Sequence, residues 1–133
     1  MKSFIAALML LGLFAGPVQA AKEYDPSKVL YLELRPSLVG NYGDGPRPRF
    51  YKADVALRVT GTFALARLEH HQALIRNELV MLFAAVPANG MDSLEAKEQL
   101  RQNALERVRA AIEYEEGYPL VDDLLFTNLI AQP

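Results

Sequence analysis

Two adjacent histidines, His70 and His71, and two adjacent aspartates, Asp122 and Asp123, are the first residues whose types invite chemistry. The histidines are the only two in the chain. Imidazole binds metals and moves protons near neutral pH. On a helix, however, neighbouring residues point well apart, so the two rings cannot close on one metal from a shared face. No carboxylate stands at the spacing that completes a helical H-E-x-x-H zinc site. A solvated or half-buried histidine pair is the expectation, with pH sensing as the weaker alternative. The aspartates fall in a strand-like run and point to opposite faces, whereas a glycosidase pair needs two carboxyl groups converging on one bond.

The remaining candidates are as bare. Glu113, Glu115 and Glu116 form an acidic helix end, where the helix dipole disfavours them, and read as a solvated end or a partner contact. Ser27, Ser37 and Ser93 lie in no G-x-S-x-G elbow and have no histidine partner in sequence. Gly40, Gly43 and Gly45, with Arg47 and Arg49, resemble an anion cradle, but they lead into a strand and not a helix N-terminus. A flexible connection with solvated arginines is expected there. With no cysteine, thiolate metal sites, disulfides and thiol nucleophiles are excluded. The expectation is a non-enzymatic chain with no catalytic residue, metal, cofactor or small-molecule substrate.

The elements that would position these residues are organised around residues 63–86, which contain no Gly or Pro. Leu65, Leu68, Ile75, Leu79, Leu82 and Val86 recur in steps of three and four, with Gln72 filling one place in the series. That spacing predicts one long amphipathic helix, widened by Leu74, Met81 and Phe83. Residues 29–39 read as a strand in which Pro36 marks an edge, a bulge or a break. Residues 40–49 are rich in Gly and Pro and read as a linker. Residues 50–60 are the cleanest strand: Tyr51, Ala53, Val55, Leu57 and Val59 share one face. A second helix is expected over 94–114, with Leu100, Ala104, Val108, Ala111 and Ile112 as its stripe. Its cap is either an Asp92–Glu95 box or Ser93. Gly117 and Pro119 end it. Residues 120–132 close the chain as a strand, with Leu124, Phe126 and Ile130 on one side and Leu125, Thr127 and Leu129 on the other. The order β-β-α-α-β predicts an α+β fold: a small antiparallel three-stranded sheet with two amphipathic helices on one face.

The 133 residues carry a net charge of −2, so the basic stripe of a nucleic-acid binder is missing and no nucleic-acid partner is expected. Residues 1–20 carry Lys2, an apolar run over 4–15, the breakers Gly16 and Pro17, and small residues at Val18 and Ala20. This layout predicts a signal peptide cut between Ala20 and Ala21. A short membrane anchor is the alternative, since the run falls below the ~20 residues of a spanning helix. Residues 21–28 then form a linker, and residues 29–133 form one domain outside the cytoplasm.

The closing run Leu125-Phe126-Thr127-Asn128-Leu129-Ile130-Ala131-Gln132 resembles the last strand of the flagellar basal-body FliL family. Residues 31–41 are similar to the family's first strand and residues 51–59 to its second. Ile75-Arg76-Asn77 with Leu79 and Leu82 is similar to its first helix. Leu94-Glu95-Ala96-Lys97 with Leu100-Arg101 is similar to the start of its second, although Gly is common where Ala96 stands. The resemblance implies a stomatin/prohibitin-like periplasmic domain at the inner membrane. It also implies a ring-forming homo-oligomer that associates with the stator units of the flagellar motor and supports rotation, swimming or swarming. A soluble periplasmic binding or scaffold module unrelated to the motor is the competing expectation.

Overall fold

A computed structural model describes Gly16 and residues 24–132. The signal peptide or anchor, with Ala20 and Ala21 at its proposed cut, lies outside the described residues. Among the described residues no helix is long and apolar enough to cross a membrane. Three strands, β1 (Val29–Tyr42), β2 (Arg49–Thr60) and β3 (Val121–Gln132), form one antiparallel sheet in the order β1-β2-β3. Between β2 and β3 lie α1 (Thr62–His70), α2 (Gln72–Ala84) and α3 (Leu94–Glu116). The expected α+β class and the antiparallel pairing of the last strand beside the second are both observed.

The alternation of β2 explains its central place. Tyr51, Ala53, Val55, Leu57 and Val59 are all buried on the helix side. They meet Leu68, Ile75, Leu79 and Phe83 from α1 and α2, and Leu100, Ala104, Val108 and Ile112 from α3, in one core. Strand β1 is a sheet edge and bulges between Leu34 and Leu38, where Arg35, Pro36 and Ser37 stand opposite Asp54 alone. Pro36 therefore marks both an edge and a bulge, which removes the need for its missing ladder donor. Strand β1 also runs further than expected. Gly40, Asn41 and Tyr42 pair with Tyr51, Phe50 and Arg49, leaving only residues 43–48 as the connection. Gly40 sits under the Tyr51 ring, and a Cβ there would stand 3.0 Å from the Tyr51 hydroxyl oxygen. Glycine is read here as a seat for a cross-strand aromatic and not as a linker residue.

Strand β3 departs from simple alternation. Leu124 and Phe126 pair with Leu57 and Val55, but Thr127 is an extra residue, so Leu129 and Ala131 take the inner face opposite Ala53 and Tyr51. Ile130 accordingly faces outward and is exposed. The grouping of Ile130 with Leu124 and Phe126 is corrected by this bulge, which moves every later side chain to the other face.

The single helix expected over 63–86 is two helices. They meet at His71, whose backbone (φ −98, ψ 16) lies in the bridge region. Its N–H points at the carbonyls of both Arg67 and Leu68, 3.2 and 3.0 Å away, a tightened turn. The break falls beside Gln72, the polar gap in the apolar series. The bend lets α1 contact β1 and β2 while α2 contacts β1 and α3. Gly61 alone connects β2 to α1. Its φ of +97 and the nearby Pro26 carbonyl, 3.2 Å from a notional Cβ, exclude an ordinary side chain. Ser93 caps α3, its Oγ accepting from the Ala96 N–H at 3.0 Å, so Asp92 is not the cap. Gly117, left-handed at φ +82, ends α3 two residues beyond the expected Tyr114.

Candidate functional site: polar clasps and an uncovered sheet face

His71, at the α1–α2 junction, is mostly buried, while His70 is exposed. His71 Nε2 lies 2.7 Å from Glu116 Oε1, and Arg67 Nε donates to the same oxygen at 2.7 Å. Glu113 and Glu115 are exposed, as expected of a solvated helix end. Glu116 is not: it clasps the last turn of α3 to α1. The hydrogen bond from His71, and then that from Arg67, hold its carboxyl below the usual glutamate range. Arg67 and His71 are four apart and share a helix face, a signal visible in the sequence. Their partner 45 residues further on was not.

The aspartates are separated, at a second irregularity of β3 where Val121 lies opposite Val59 and Asp123 opposite Arg58, leaving Asp122 as the extra residue. Asp122 accepts from Thr60 Oγ1 at 2.6 Å. Asp123 accepts from Arg101 Nη1 at 2.7 Å and from the Leu124 N–H at 2.8 Å. Arg101 also forks onto Glu98, through Nε at 2.8 Å and Nη2 at 2.6 Å. Arg101 thus ties α3 to β3 through Asp123, and its fork within α3 holds the Glu98 carboxyl down to about 2. A carboxyl whose folded value is depressed stabilises the fold above its unfolded value and loses that contribution as the pH falls through the folded one. Stability should therefore decline as the pH drops from the ordinary glutamate value of about 4.5 toward 2. Glu98→Gln should flatten that limb of a melting-temperature profile. An unchanged acid limb in the variant would show that the fork contributes nothing.

Ser27 donates to Asp25 at 2.8 Å, Ser37 donates to Asp54, and Ser93 caps α3; none of the three meets a histidine. A cleft of about 470 Å³ opens at the β1 bulge, lined by Glu33, Arg35, Ser37, Asp54 and Thr127 among others. Its polar groups answer one another: Arg35 pairs with Glu33, and the Thr127 hydroxyl donates to the Asp54 carbonyl at 3.3 Å. The glycine-rich connection is tied down. The Gly43 N–H donates to the Val86 carbonyl at 2.9 Å, so it is engaged within the chain and not offered to an anion. Among the described residues, no group of three or more His, Asp or Glu is placed to hold a metal, and no buried side-chain polar atom lacks a partner.

What stays open is surface. The helices cover one face of the sheet. The other face carries Val39, Lys52 and Ile130 in one cross-strand row and Asn41, Phe50 and Gln132 in the next. Val39, Phe50 and Ile130 are exposed, with Leu125 and Tyr31 further along the same face. Apolar side chains aligned on an uncovered face can bury area against a partner. Comparison with individual curated proteins yields no match. The family described as flagellar basal body-associated protein FliL matches residues 31–132. That span contains nearly all of the sheet and every helix described above, and the chain belongs to the FliL family of flagellar basal body-associated proteins.

Proposed function

We propose that this chain is a non-enzymatic part of the flagellar basal body that associates with the stator units of the motor and supports rotation, swimming or swarming. It acts as a homo-oligomer, a ring, on the periplasmic side of the inner membrane. The observation that carries the reading is the family match across the whole sheet-and-helix module. The geometry supports it: Arg67 with Glu116, Arg101 with Asp123 and Arg107 with Glu78 pair within the module, and an apolar sheet face is left for contact. The work of such a module is to bind one conformation of a partner more tightly than another.

A deletion strain tests this. Swimming and swarming in viscous medium should fall and return with the full chain supplied in trans. Wild-type motility in the deletion strain would overturn the reading and leave the soluble scaffold in its place. A surface variant sharpens the test. Val39→Asp combined with Ile130→Asp alters exposed positions, which should shift stability by no more than ~1 kcal/mol. The purified double variant should melt near the wild-type temperature and yet fail to restore motility. Full restoration would clear this face of any role.

A further inference from the structure

Six large apolar or aromatic side chains stand exposed at a single end of the fold. Strand β1 begins, β2 ends and β3 begins at that end, where Val29 lies opposite Thr60 and Val121 opposite Val59. The Thr62 N–H donates to the Asp25 carbonyl at 3.0 Å, and the Asp25 N–H donates to Thr62 Oγ1 at 2.9 Å. This pairing brings Tyr24 to the start of α1, beside Phe63. The Glu116 clasp to Arg67 and His71 carries the last turn of α3, with Tyr114 and Tyr118, to the same end. Relative exposures are 69% for Tyr24, 61% for Phe63, 88% for Tyr114, 71% for Tyr118 and 56% for Tyr31, with Val29 beside them at 55%. The other two tyrosines, Tyr42 and Tyr51, are 3% exposed and sit in the core. Every exposed tyrosine is thus at one end.

The geometry points to this end as a contact surface for the lipid–water interface of a bilayer. Tyrosine joins an apolar ring to a polar tip and collects at the headgroup level of membranes, where both are satisfied. The chain outside the described residues enters at this same end, through Tyr24. Its apolar run over 4–15 is separated from Tyr24 by the eight residues 16–23. Eight extended residues reach at most ~29 Å. A retained run would therefore keep the aromatic end within that distance of the bilayer and the opposite end, with Gly43 and Gln132, away from it. Charge selects the lipid. Glu113 and Glu115 flank Tyr114 and are exposed; Asp25, Glu69, Glu116 and Asp122 add to the acidic side at this end, against Lys28, Arg58, Arg67 and Arg109, with His70 and His71 beside them. With carboxylates beside the aromatic rings, a zwitterionic surface fits and an anionic one is repelled.

This inference rests on the membrane-side location proposed above, and its test separates the two. The chain has no tryptophan, so tyrosine alone reports its emission. The full chain is reconstituted with phosphatidylcholine vesicles, with and without a lipid bearing a nitroxide high on its acyl chain. The protein should float with the vesicles, and the nitroxide should quench its emission. Tyr114→Ser combined with Tyr118→Ser removes two of the four exposed tyrosines at sites that pack nothing, so it should still float and melt as wild type. The amount of emission lost to the nitroxide should fall about twofold, and the quenched fraction from about two thirds to about one half because Tyr42 and Tyr51 still emit from the core, as expected if both rings lie at headgroup depth. Replacing part of the lipid with phosphatidylglycerol should also lower quenching. Flotation with no quenching, or equal quenching in the double variant, would overturn the aromatic contact and leave the location intact. Failure to float would overturn both.

Discussion

Replacing Leu79 with Asp should abolish cooperative folding of the domain. Leu79 is fully buried midway along α2, and among the described residues no polar or charged side chain is buried. An aspartate there would have no partner. The loss of the leucine forfeits about 2–3 kcal/mol of apolar burial. Burying the carboxyl without a hydrogen-bond partner adds several kcal/mol more, whether it stays ionised or takes up a proton. The total approaches the ~5–15 kcal/mol that holds an ordinary domain together. Circular dichroism during heating should show a sloping, non-cooperative loss of signal in place of a transition. Leu79→Met keeps volume and polarity and should stay within ~1.5 kcal/mol of wild type. A cooperative melt of Leu79→Asp at the wild-type midpoint would mean that α2 presents another face to the sheet.

Periodicity made most of the architecture readable. The inner face of β2 and the α3 stripe of Leu100, Ala104, Val108 and Ile112 are buried as their spacing demands. Antiparallel pairing of β1 with β2 follows from a connection too short for a crossover. What escaped depends on contacts between distant segments. The bulge at Thr127 is set by how β3 registers on β2. Its trace was nevertheless present, since the inward residues step by two from Leu124 to Phe126, by three to Leu129 and by two again to Ala131. The helix break at His71 shows in sequence only as a polar residue in an apolar series. The clasp with Glu116 that engages the junction residue spans 45 residues. Gly40 looks like a loop residue until the Tyr51 ring is seen above it. At the candidate contact surfaces, the residue types were plain and their grouping was not. Tyr24, Phe63, Tyr114 and Tyr118 come together only because both chain reversals at that end of the sheet are tied to α1.

Phe83→Ala should be the most damaging of the truncations to alanine. Sequence spacing put Leu82 in the apolar series and Phe83 at its margin, but the structure reverses their weight. Phe83 is fully buried, while Leu82 only packs against the edge of the core. The Phe83 ring stacks on Tyr51 of β2, with centroids 4.0 Å apart and planes 11° from parallel. It also tilts onto Phe126 of β3 at 5.9 Å. One side chain thus joins α2 to two strands, and Tyr51 in turn covers Gly40 of β1. Its removal leaves a cavity that rigid strands cannot close, at a cost of about 3–5 kcal/mol. For a domain near this size that corresponds to a fall in Tm of roughly 10–25 °C. Leu82→Ala should cost less than half as much, because solvent already reaches that position. Tyr51→Leu in the Phe83→Ala background should add less than it does in wild type, the shortfall being the stacking energy of ~0.5–1.5 kcal/mol. If Leu82→Ala proves the costlier of the two, α2 is rotated by about one residue on the sheet, and the burial of Ile75 and Leu79 must be reassigned with it.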